Sequence, residues 1–79
     1  MTNLEKYTNA FVEVFVIEAK DTEGLEYQSI EEWDSVGHME LIAALEEVFD
    51  IMMDTEDIID FSSFEKGKEI MKKYNVEIK

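Results

Sequence analysis

The sequence predicts an all-α fold, a small four-helix bundle formed by one domain over residues 1–79. Three observations carry the prediction. Apolar residues recur at spacings of three and four through most of the chain. Side-chain pairs with helix-capping spacing precede those stretches, and no proline, repeat or low-complexity segment interrupts them. Without cysteine there is neither a disulfide nor a thiolate metal site, so the core must come from packing alone. A hydrophobic fraction of 46% is enough for one modest core at this length.

The first element opens at Thr2 and Glu5, which have capping-box spacing. Leu4, Tyr7, Phe11, Val14 and Phe15 then form one stripe, so a helix is expected from about Asn3 to about Ala19, with Glu18 breaking the stripe. The polar stretch KDTEGLEYQS carries the helix-breaking Gly24. It makes residues 20–34 a long connection between helices one and two, pinned by Leu25, Ile30 and Trp33. Asp34 caps a second helix, about Ser35 to Phe49. Asp54, with Asp57 three residues on, opens a short third helix through about Asp60. Ser62 and Glu65 read as another capping box, starting a fourth helix from about Ser63 to Tyr74. Its inward set is Phe64, Ile70, Met71 and Tyr74, with Gly67 permitting close approach. Three longer helices and a short third one complete the bundle.

Twenty acidic residues against seven basic ones leave a net charge of -13. Such a surface repels nucleic acid and anionic membrane, which are bound through clustered Lys and Arg, and steers the protein towards basic patches on partners. A well-solvated acidic surface is the plainer reading of the same charge. No apolar run approaches the roughly 18 residues of a membrane span, so membrane insertion is not expected. The start, MTNLEKYTNAF, lacks the basic-then-apolar order of a signal peptide, and a cytoplasmic monomer is expected.

The second helix has more apolar surface than one core contact requires. Leu41, Ile42, Leu45, Val48 and Phe49 supply a buried stripe. Val36, Met39 and Ala43 are left over on a neighbouring face, among Glu40, Glu46, Glu47 and Asp50. That strip is either a docking face edged by carboxylates or the mark of a more deeply buried helix.

Ser35 stands at the start of this helix. A serine nucleophile needs a base and an oxyanion hole. His38, the only histidine, lies three residues on, but no glycine-rich elbow surrounds the serine and a domain this small has little room for a substrate cleft. An enzyme is not expected, and His38 reads as an exposed polar residue of the first turn. DIMMDTEDIID is no calcium loop either, because Met52 occupies an oxygen position and the central glycine is missing. Asp34 already takes the cap, which makes Ser35 the first helical residue, outward-pointing beside the positive end of the helix dipole. A phosphate ester suits that place, since helix amides and dipole both favour an anion.

The stretch DSVGHMELIAALEEVFDI resembles the phosphopantetheine-attachment region of acyl carrier proteins. Asp34 and Ser35 match the family's invariant pair and Val36 its apolar third position. Met39, Glu40 and Leu41 match its apolar-Glu-Leu, and ALEEVF matches the run towards the end of the second helix. The similarity continues through IMMDTEDIIDFSSFEKGKEIMKKY and, with the first helix, covers nearly the whole chain. The resemblance implies an acyl-carrier-like bundle and a non-enzymatic carrier that tethers acyl or aminoacyl intermediates as thioesters, in the manner of lipid or fatty acid biosynthesis. The cofactor would be 4'-phosphopantetheine, placed on Ser35 from coenzyme A by a magnesium-dependent phosphopantetheinyl transferase.

By the same resemblance Asp34 caps the helix and helps the transferase hold magnesium. Val36, Met39, Glu40, Ala43, Glu46 and Glu47 would dock basic-rimmed pockets on the transferase and on acyl-activating and acyl-transferring enzymes. A fatty cargo would retract between helices two and three among Leu45, Phe49, Ile58, Ile59 and Phe61, residues that otherwise serve as ordinary core. Three departures from the family stand close together: Trp33 before the Asp-Ser pair, Gly37, and His38. Gly37 weakens the first turn by about 1 kcal/mol relative to alanine. WDSVGHMELI looks like a specialised carrier, and a chain beginning at Met1 is expected to stand alone. The rival readings are an acidic helical adaptor without prosthetic group and a peptidyl or D-alanyl carrier of the same fold.

Overall fold

Capping pairs and apolar stripes become helices largely where their spacing places them in the computed structural model, which describes residues 1–79. Four α-helices follow one another: α1 over Asn3–Phe15, α2 over Ser35–Phe49, α3 over Thr55–Asp60 and α4 over Phe64–Lys72. A 3-10 turn, Ala19–Thr22, interrupts the first connection. The fold is thus an all-α bundle, and none of its helices is long and apolar enough to cross a membrane.

α1 opens on a complete capping box, with the Glu5 amide donating to Thr2 Oγ1 at 3.1 Å and the Thr2 amide donating to Glu5 Oε1 at 3.0 Å. It closes at Phe15, short of the Ala19 expected. Val16 is left-handed at φ 55°, and its amide turns back onto the Val12 carbonyl. A further turn of helix would have carried Glu18 onto the buried stripe. Instead Glu18 precedes the 3-10 turn, where its amide donates to the Asp21 carboxylate at 3.0 Å. Leu4 and Val48, both assigned to buried stripes from spacing, are 37% and 45% exposed.

The core is aromatic. Phe11 lies 4.9 Å from Phe64 and 5.6 Å from Trp33 between ring centroids, and Phe15 stacks on Trp33 at 5.3 Å. Each such ring buries a large apolar surface and adds about 1 kcal/mol from ring geometry. Tyr7 is fully buried, so its hydroxyl needs a partner, and it donates to the Phe64 carbonyl at 2.7 Å. Burial pushes the Tyr7 phenol well above its ordinary range. Gly67 lets α4 rest directly on these rings. A Cβ there would overlap the Tyr7 hydroxyl and Phe61 Cζ, and would sit 2.7 Å from Phe61 Cε1.

The long connection is anchored by Leu25 and Trp33, both buried, with Ile30 half-buried, as the sequence predicts. It also pairs with the segment entering α4. The Tyr27 amide donates to the Ser62 carbonyl at 2.8 Å, and the Phe64 amide donates to the Leu25 carbonyl at 2.9 Å. This pairing shifts the start of α4. Ser63, and not Ser62, is the cap, accepting from the Lys66 amide at 2.9 Å. At the other end α4 stops at Lys72, so Tyr74 lies beyond the helix.

Candidate functional site

α2 begins where its cap allows. Asp34 is extended, and its Oδ1 accepts from the Gly37 amide at 2.8 Å, while the His38 amide closes the first helical bond on the Asp34 carbonyl. Ser35 is therefore left out of the cap as the first helical residue, and it is exposed. The amides of Ser35 and Val36 precede the first intrahelical bond, so this end of α2 presents free donors and positive dipole where the hydroxyl stands.

Beside Ser35 a groove of about 380 Å³ runs between α2 and α3. Met39 and Ile59 line it as exposed side chains, His38 and Ile58 as half-buried ones and Phe61 as a buried one, with Tyr27 and Ser62 completing the lining. Of the five residues read as an acyl pocket, Ile58, Ile59 and Phe61 line this groove. Leu45 and Phe49 do not: Leu45 is fully buried and Phe49 packs half-buried against the main core. Helical periodicity sets them on one α2 face, and that face turns inward to the core.

His38 is not the exposed residue its position suggested. It is half-buried, and both ring nitrogens are engaged. Trp33 Nε1 donates to His38 Nδ1 at 2.9 Å, which places the imidazole proton on Nε2, 2.7 Å from the Ile58 carbonyl it bonds. The Trp33 and His38 rings are nearly parallel, 16° apart, with centroids at 6.2 Å. The loop, α2 and α3 are thereby tied at one side chain. Gly37 belongs to the same arrangement. A Cβ there would overlap the Glu32 carbonyl oxygen and lie 3.3 Å from Phe15 Cε1, so the glycine lets the loop pass against α2. Trp33, Gly37 and His38 form one structural unit.

Most side chains of the surplus apolar face of α2 and its acidic edge are exposed. Val36 and Met39 are 67% and 53% exposed, and Glu40, Ala43 and Glu47 are also exposed. Glu46 is not free in the same way. It is half-buried, and its Oε2 accepts from the Met53 amide at 2.9 Å, holding the segment after α2.

α3, the outer wall of the groove, is fixed from its far side. Asp54 makes no capping bond with its side chain. Asp57 turns away from the cap and is buried, receiving bonds from the Tyr74 hydroxyl and from Lys73 Nζ, the latter at 2.9 Å. The Tyr74 bond first, and Lys73 second, hold the Asp57 carboxylate below its ordinary range. The bond to Asp57 raises Lys73, and partial burial raises the Tyr74 phenol with Asp57 adding to it. Tyr27, His38 and Ser62 line the groove although spacing did not mark them as site residues, and Asp57, read as part of a cap, supports α3 from behind. An aromatic inside the polar run LEYQS was the available signal for Tyr27.

No known family model matches the chain, and no curated protein does.

Proposed function

We propose that this protein is an acyl carrier, itself without catalytic activity, that is modified on Ser35 with 4'-phosphopantetheine. One observation carries the reading: Asp34 caps α2, which frees Ser35 as an exposed first helical residue on the rim of an apolar groove, within the sequence DSVGHMELI. The residues present fit the group. The free amides at the start of α2 favour the phosphate, and no helix backbone has to be broken to reach the hydroxyl. The arm supplies a terminal thiol, which this cysteine-free chain lacks, to hold an acyl or aminoacyl group as a thioester. Val36, Met39, Ala43, Glu40 and Glu47 then form the surface offered to the transferase and to acyl-handling enzymes. The charge of -13 favours basic-rimmed partners and fast, salt-sensitive encounters. Such a carrier works in the cytoplasm, and the unit tying Trp33, Gly37 and His38 supports a specialised member.

The test is intact mass after incubation with coenzyme A, magnesium and a broad-specificity phosphopantetheinyl transferase. The parent gains one phosphopantetheine and Ser35→Ala gains none. A folded parent that gains nothing from several transferases is instead an acidic adaptor docking through the same exposed face. Loading of the modified protein by an amino-acid-activating enzyme, in place of an acyl-activating one, identifies a peptidyl or D-alanyl carrier.

A further inference from the structure

The groove beside Ser35 has no continuation into the protein. Its inner surface is His38 and Phe61, and the His38 bond to the Ile58 carbonyl runs from α2 to α3 across the path an alkyl chain would take inward. Behind that bond the space is filled. Trp33 and Phe61 have no exposed surface, and the Trp33–Phe61 and His38–Phe61 centroids lie 6.4 and 6.2 Å apart. The other two hollows of the molecule open elsewhere, one beside Thr8 and Lys68, the other beside Ala10 and Ala44. Parting α2 from α3 would break the bond from His38 Nε2 to the Ile58 carbonyl. It would leave the His38 Nε2–H and the Ile58 carbonyl facing hydrocarbon, a cost each of these groups incurs in full.

We infer that the groove takes a short acyl chain and that the His38 strap bars a long one from the core. The inference rests on the carrier reading for the attachment of cargo at Ser35, whereas the length limit belongs to the groove itself. A short chain lies under Met39 and Ile59 and against Ile58. Beyond those side chains a longer one runs back into water, and its extra methylenes add nothing to stability.

Because the chain has no cysteine, Ser35→Cys provides a single thiol at the groove without any transferase. Its thiolate attacks an alkyl methanethiosulfonate and displaces methanesulfinate, leaving a mixed disulfide that carries the alkyl group. A series of methyl, butyl, octyl and hexadecyl adducts is compared by thermal unfolding and by the indole N–H resonance of Trp33. The melting temperature rises by roughly 5–10 °C from methyl to butyl, for three added methylenes about half buried in the open groove. It then stays level from octyl to hexadecyl, with the Trp33 resonance unmoved. In Ser35→Cys/His38→Ala the rise continues to the longer chains. Continued stabilisation through hexadecyl in Ser35→Cys alone, with a displaced Trp33 resonance, overturns the inference, as does the absence of any gain from methyl to butyl. The alkyl series on Ser35→Cys decides the matter even where the double variant does not fold. Failure of the unsubstituted protein to accept phosphopantetheine removes the carrier reading and leaves the measured length limit standing.

Discussion

Replacing Gly37 with alanine sets local helix preference against tertiary packing, and the two predict opposite signs. Alanine in the first turn of α2 should gain about 1 kcal/mol over glycine if only the helix mattered. In the folded protein the added Cβ overlaps the Glu32 carbonyl oxygen and comes to 3.3 Å from Phe15 Cε1. The first of these is backbone, so no rotamer change relieves it. The loop has to move, and overpacking of this kind costs about 1–3 kcal/mol. The displaced residue is followed directly by Trp33, whose bond to His38 is worth about 1 kcal/mol. Setting these against the helix gain leaves Gly37→Ala destabilised by about 2 kcal/mol, a fall in melting temperature of roughly 8–16 °C for a domain of this size. Urea unfolding followed by the emission of the single tryptophan measures it directly. An unchanged or higher midpoint refutes the claim that the loop lies against α2 at this glycine.

Asp34→Ala should lower stability by about 1 kcal/mol through loss of the cap on Gly37. A thermal unfolding curve that coincides with the parent's excludes that cap. Asp57 titrates lower in the folded protein than in the unfolded chain, so its contribution is complete above the unfolded value near pH 4 and disappears as the pH falls through the folded value. Lys73 and Tyr74 shift upwards, so theirs is complete below about pH 10 and is lost above it. The difference in stability between the parent and Asp57→Asn should accordingly shrink at both ends of a pH series, and a difference that persists into acid contradicts the arrangement. For the neutral His38 ring, long-range nitrogen–proton correlation spectra should show the proton on Nε2 and a bare Nδ1. The opposite tautomer is incompatible with the Trp33 bond.

Legibility in the sequence varied with the range of the interaction. α2 was readable to the residue because Asp34, the free Ser35 and the apolar spacing from Leu41 to Phe49 lie within a few turns of one another. The box of Thr2 and Glu5 was readable for the same reason. The end of α1 was not, because Val16 adopts a left-handed conformation that a β-branched residue disfavours. The cap of α4 was misplaced by one residue, since the choice of Ser63 over Ser62 follows from pairing with Leu25 and Tyr27, far back in the chain.

At the candidate site the same division holds. Sequence by itself determined the helical class, the acidic surface, the exposed Ser35 behind its Asp34 cap and the surplus apolar face of α2, because capping, periodicity and charge depend on neighbours within about four residues. Tertiary structure alone decided that His38 is a strap, that Gly37 is a point of close passage, that Asp57 anchors α3 to Tyr74 and Lys73, and that Leu45 and Phe49 belong to the core and not to the groove. Each of those roles depends on a partner brought alongside by another segment of the chain, and spacing along one helix carries no information about what will face it.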